Sequence, residues 1–179
     1  AVVARDASGN FAAGTITATL SGAATTAGTV TTAAQGNITS VGTLDALAVT
    51  GNVLTNQGNV LITGGTGGVG YNAGAGGTVA QSGNKGTGVS LNKQSGEITM
   101  QNTNLAAATT VSFTLTNSTI ASHDVMMLNI VSGAATPATY NLDAVCNTGS
   151  AVISVRNITA GTLGEALVLR FVVIKGSVT

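Results

Sequence analysis

Hydrophobic and polar residues alternate along this chain with a period of two, the spacing of a β-strand whose side chains point to opposite faces. The alternation comes at two densities. In residues 1–63 it appears in short bursts: Ile16, Ala18 and Leu20 share one face of 15–20 with threonines opposite, and shorter runs follow at 47–50 and 60–63. Gly-Asn pairs at 9–10, 36–37, 51–52 and 58–59 punctuate these runs as turns. The spacing is irregular, so this is a degenerate strand-turn array and not an exact repeat. From about Val89 the pattern thickens. Residues 110–116 alternate strictly, with Val111, Phe113 and Leu115 on the inner face, and further strands are predicted at 88–91, 97–100, 125–131, 140–145, 151–157 and 167–175. In the last of these Leu167, Leu169, Phe171 and Val173 share one face, while Val168, Val172 and Ile174 make the other apolar too, which predicts a strand covered on both sides.

The two densities predict two kinds of structure. The early strands have one narrow apolar face of Ala, Val, Ile and Leu, too little to offset an ordering cost of about 1–2 kcal/mol per backbone residue. Their burial requires other chains, and three copies about a common axis would turn the small apolar side chains inward. Thr, Gly, Asn and Val disfavour helix. The later strands, with turns between them, predict a packed β-sandwich of jelly-roll type. The expected fold is therefore all-β: a trimeric fibrous stalk over 1–63, a Gly-rich neck over 64–88, and a C-terminal sandwich head over 89–179. In 64–77, GGTGGVGYNAGAGG, eight of the fourteen residues are Gly, which permits positive φ and close approach of three backbones.

Composition agrees with order without a large aromatic core. Charged residues are 7% and aromatics 3%, with no Trp, yet 44% of residues are hydrophobic, the opposite of the disorder signature. Six basic and six acidic residues cancel and are scattered, so the electrostatic footprint of a nucleic-acid binder is missing. No apolar run reaches the roughly 18 residues of a membrane span; the longest, 166–174, carries Arg170 at its centre. No secretory signal is visible and the chain begins at Ala, as a fragment or processed product would. Cys146, the only cysteine, reads as a buried thiol.

Candidate chemistry is thin. Residues 65–70 match G-x-G-x-x-G, but the following Tyr71-Asn-Ala-Gly-Ala-Gly-Gly77 cannot open the helix a pyrophosphate needs, and the next acidic residue is Glu97. Calcium binding of the glycine-rich repeat type fails because no Asp lies between Asp45 and Asp124. Ser122-His123-Asp124 brings three triad residue types together consecutively, where a triad needs convergence in space; it reads as a polar turn. His123 is the only His, so no His-based metal site forms within one chain. The acids are not closely paired and sugar-stacking aromatics are scarce, so glycosidase chemistry has no support. Asn37, Asn117 and Asn157 each begin an N-x-T triplet, read as a by-product of Asn and Thr richness.

Residues 3–18, VARDASGNFAAGTITA, and 33–44, AAQGNITSVGTL, closely resemble a segment of bacteriophage tail-fibre proteins. Residues 89–100, VSLNKQSGEITM, and 165–176, EALVLRFVVIKG, resemble the terminal domain of the same class. The resemblance implies a homotrimeric virion fibre, extracellular, whose tip attaches to a host; it carries over no catalytic residues. The expected partners are two further copies, other virion tail or fibre proteins, and a bacterial surface receptor, either a polysaccharide or an outer-membrane protein. No cofactor, metal, nucleic acid or membrane insertion is expected, and no enzymatic activity. Recognition is expected in loops at the far end of the head, with Ser122, His123, Asp124, Thr139, Tyr140, Asn147 and Thr148 as candidates, because exposed loops on a rigid scaffold usually carry binding. Three rivals stay open: a purely structural fibre or capsid decoration without receptor, a glycan-cleaving enzyme, and an amyloid-like assembly.

Overall fold

A computed structural model describes residues 4, 6–8, 47–53, 55, 60, 62, 65, 68–72 and 74–177. The chain divides into two units, Ala1–Val60 and Leu61–Thr179. In the first, the alternating run at 15–20 and the Gly-Asn turns at 9–10 and 36–37 lie outside the described residues, as does the Asn37 triplet. Residues 47–53 form no strand, and Leu47, Val49 and Val53 are exposed.

The second unit is all-β. Its strands are β1 (Thr78–Ala80), β2 (Val89–Ser90), β3 (Ser95–Thr99), β4 (Thr110–Thr116), β5 (Val125–Ser132), β6 (Tyr140–Asn147), β7 (Ser150–Asn157) and β8 (Val168–Ile174). No helix occurs among the described residues. The strands make two four-stranded sheets, β1-β3-β8-β5 and β2-β4-β7-β6. Pairing is antiparallel except at one edge of each sheet, where β1 runs parallel to β3 and β2 parallel to β4. Strands predicted at 110–116, 125–131, 151–157 and 167–175 appear within a residue or two of the expected bounds. Strand β1 was not anticipated; it lies inside the stretch assigned to a Gly-rich neck.

One hydrophobic core is shared by both sheets. Phe113 and Leu115 of β4, Ala151, Ile153 and Val155 of β7, and Leu169, Phe171 and Val173 of β8 all point into it, with Ile98, Met100 and Leu167 fully buried alongside. Full burial of each such side chain is worth about 1.5–3 kcal/mol. The inner parity of β8 is the expected one. Its other face is half-covered: Val172 is partly buried, whereas Ile174 and the neighbouring Met127 are exposed.

Two asparagines stand at inward positions where the apolar alternation ends. Asn117 follows Phe113 and Leu115, and Asn157 follows Ile153 and Val155; both are fully buried. Each Oδ1 accepts the amide and the hydroxyl of the threonine two residues on: Thr119 at 3.0 and 2.8 Å, Thr159 at 2.9 and 2.8 Å. The Nδ2 of Asn117 donates to the Lys93 carbonyl, and that of Asn157 to the carbonyls of Leu105, Ala106 and Gly161. The N-x-T triplets at 117 and 157 are therefore a structural device, not a by-product of composition. The asparagine closes an Asx turn at a strand end and ties neighbouring loop carbonyls to it.

Turns at both ends demand glycine at two places. Gly133 has φ +92° after β5, and a Cβ there would fall 2.1 Å from the Ala166 carbonyl oxygen. At Gly176 a Cβ would fall 1.9 Å from the His123 carbonyl oxygen. In the 64–77 stretch the described glycines divide. Gly65, Gly68 and Gly70 have open space, Gly74 has φ +91°, and Gly77 is packed against Leu91.

Candidate functional site

Register fixes which loops share an end. Val125 pairs with Ile174, and Asn147 with Ser150, at one end of the sheets. There the β6–β7 hairpin tip meets residues 117–120, since Gly149 N–H donates to the Ile120 carbonyl and Asn117 N–H to the Gly149 carbonyl, both at 2.9 Å. The chain also enters at this end: the Tyr71 hydroxyl donates to the Val173 carbonyl at 2.7 Å, and Lys93 Nζ to the Gly74 carbonyl at 3.0 Å. The opposite end holds Tyr140 paired with Asn157, the bridge between Leu105 and Leu163, and the loops at 81–87, 101–109, 133–139 and 158–166.

The seven candidate residues do not converge. Ser122, His123, Asp124, Asn147 and Thr148 stand at the entry end, and Thr139 and Tyr140 at the opposite end, roughly 23 Å away along β6 at about 3.3 Å per residue. Two of the seven are spent internally. Asp124 is buried, closing the 121–124 turn: its carboxylate takes the Ala121 amide at 2.8 Å, the Gly176 amide at 3.2 Å and an ion pair from Lys175. The hydrogen bond from Lys175 and then the Ala121 amide pull its carboxyl down to about 2. Ser122 and His123 project from this turn, exposed, and the polar turn read from the sequence is what forms.

At the opposite end Tyr140 is buried, its hydroxyl donating to Glu165 Oε2. Burial, and then that hydrogen bond to a carboxylate, push the phenol well above its ordinary range. The same bond holds the Glu165 carboxyl below its usual value. Glu165 joins three loops. Its Oε1 accepts the Ala135 amide at 3.3 Å, and its main-chain carbonyl accepts Lys85 Nζ, which also donates to the Gln101 carbonyl at 2.8 Å. Lys85 is buried, and desolvation lowers its pKa. Gln81 completes the lattice, donating to the Lys85 and Thr87 carbonyls and accepting the Gln101 amide.

On this framework sits a groove of about 500 Å³, running between edge strands β5 and β6 and closed by the 133–139 loop. Asn129, Ser132, Thr139 and Asn141 line it beside Ile130, Pro137 and Leu142. No lysine, arginine or carboxylate lines it. Thr139 is held in place, its hydroxyl donating to the Thr136 carbonyl and its own carbonyl accepting the Ile158 amide. Among the described residues no three His, Cys, Asp or Glu side chains gather as a metal-ligand set. Beyond Thr139 and Tyr140 the groove was not legible in the sequence, because Asn129 and Asn141 come from strands whose adjacency only pairing reveals.

Comparison with protein-family models, with curated proteins and with solved structures returns no match.

Proposed function

We propose that the chain is part of a trimeric bacteriophage tail fibre whose C-terminal β-sandwich head attaches the virion to a bacterial surface polysaccharide. One observation carries this reading: a fixed groove lined by amides and hydroxyls at the end of the head opposite chain entry. Asn141 and Thr139, on the β6 side of the groove, supply donors and acceptors suited to sugar hydroxyls, and the Glu165–Tyr140–Lys85 lattice fixes the loops beforehand, so little ordering cost falls on binding. The resemblance of residues 3–18 and 33–44 to tail-fibre segments supports the virion setting. Three weak sites on one axis would act together through avidity.

The test is adsorption. Labelled full chain is expected to bind host cells and to compete with phage infection, and Asn141→Ala with Thr139→Ala is expected to weaken binding at least tenfold. Wild type that neither adsorbs nor competes overturns the attachment role in favour of a purely structural fibre or decoration protein. Release of reducing sugar from host polysaccharide would instead make the head a glycan-cleaving enzyme.

A further inference from the structure

The two sheets differ on their outer faces. The second sheet presents Thr110, Ser112, Thr114, Thr116, Asp143, Ser154 and Arg156, a mostly polar face on which Ser112 and Ser154 share a 2.8 Å hydrogen bond and the exposed apolar residues are the single pair Val145 (55%) and Val152 (37%). The first sheet presents residues in level rows set by its register. Val125 pairs with Ile174; the next row is Met127, Val172 and Ser95; then come Asn129, Arg170, Glu97 and Thr78; last are Ser132, Val168, Thr99 and Ala80. Two apolar rows thus adjoin one polar row, and the apolar pair stays open: Val125 is 57%, Met127 60% and Ile174 48% exposed. A groove of about 1000 Å³ runs over this face, walled on its far side by Val69 and Tyr71. Edge strand β5, VMMLNIVS, contains neither charge nor proline to discourage association.

We infer that this outer face is the contact through which copies of the chain associate, about an axis parallel to its strands. The inference deepens the trimer reading above and rests on it. Rotation about such an axis keeps every row at its own height, so apolar rows meet apolar rows. The charged row is complementary to itself under the same rotation. Arg170 and Glu97 are neighbours on β8 and β3, and their ion pair uses only Oε1, taken by Nε at 3.1 Å and Nη2 at 2.6 Å. Oε2 and Nη1 have no partner among the described residues. In a ring, Arg and Glu alternate, and each guanidinium stands between its own carboxylate and that of the next copy. A face carrying one sign of charge would repel its own image; this one does not.

Sedimentation equilibrium of the full chain tests it, with circular dichroism confirming that each variant keeps its β signal. Wild type is expected at three times the chain mass of 17.3 kDa. Met127→Lys and Arg170→Glu are each expected to reduce the mass threefold at micromolar concentration, and Glu97→Arg with Arg170→Glu to restore the assembly. Thr114→Lys, on the other outer face, is expected to leave it intact. If wild type is a trimer and Met127→Lys and Arg170→Glu remain trimers, this face is not the contact, though the trimer stands. If wild type is a single chain, the face and the trimer fall together, whatever adsorption shows.

Discussion

Removing the Asn157 side chain beyond Cβ tests the strand-end plugs most sharply. Asn157→Ala deletes five hydrogen bonds, three donated by Nδ2 and two accepted by Oδ1. The carbonyls of Leu105, Ala106 and Gly161 keep second partners in the Leu163 amide, Thr109 and the Thr159 hydroxyl. Each therefore loses a bond without being orphaned, at about 0.5–1.5 kcal/mol per bond. The Thr159 amide is the group left with nothing. The sum over five bonds is about 2.5–7.5 kcal/mol, a large fraction of the roughly 5–15 kcal/mol that holds a domain folded. At about 3–6 °C per kcal/mol for a domain near this size, the melting temperature should fall by roughly 8–45 °C. Asn117→Ala deletes three bonds and by the same count should cost less, about 1.5–4.5 kcal/mol. Urea titration followed by circular dichroism reads both. Asn157→Ala within about 1 kcal/mol of wild type, or Asn117→Ala costing more than Asn157→Ala, would refute the reasoning.

Three further outcomes follow from the same structure. Gly133→Ala combines a left-handed backbone with an overlap against the Ala166 carbonyl and should cost more than about 2 kcal/mol in the same titration; a neutral result would mean the 133 turn is not built as described. Asp124 has a folded carboxyl lowered to about 2 from 3.8, so the stability it lends is present above the usual value and is lost as pH falls through the folded one. Asp124→Asn should therefore flatten the dependence of the thermal midpoint between about pH 4 and 2, and an unchanged slope would sink the assignment. Cys146 is buried, and burial raises its thiol; a thiol reagent at pH 8 should label it only after unfolding, and rapid labelling of the native chain would contradict its place in the core.

The inner faces of the long strands were readable because alternation is a one-residue rule. Phe113 and Leu115, or Leu169, Phe171 and Val173, cannot face the core without their neighbours facing away. β1 was not readable: Thr78–Ala80 is three residues long, flanked by glycines, and owes its pairing to β3 rather than to any pattern of its own. Asn117 and Asn157 do carry a signal in the sequence, since each continues the inward parity of its strand and precedes a threonine by two. Their burial could have been read from that phase. The candidate loops were chosen for polarity, which does not distinguish display from internal use. Asp124 and Tyr140 are polar because they tie loops together, whereas Ser122, His123, Asn147 and Thr148 are exposed. The groove residues Asn129 and Asn141 look like ordinary strand residues until β5 and β6 are set on the same side of the two sheets.

Burial of the stalk strands, the avidity of attachment and the pairing of the charged row between copies all depend on three chains sharing one axis. Native mass of the full chain at micromolar concentration is the direct measurement. A single species at three times 17.3 kDa is expected; a monomer, or an open-ended ladder of sizes, would contradict the account.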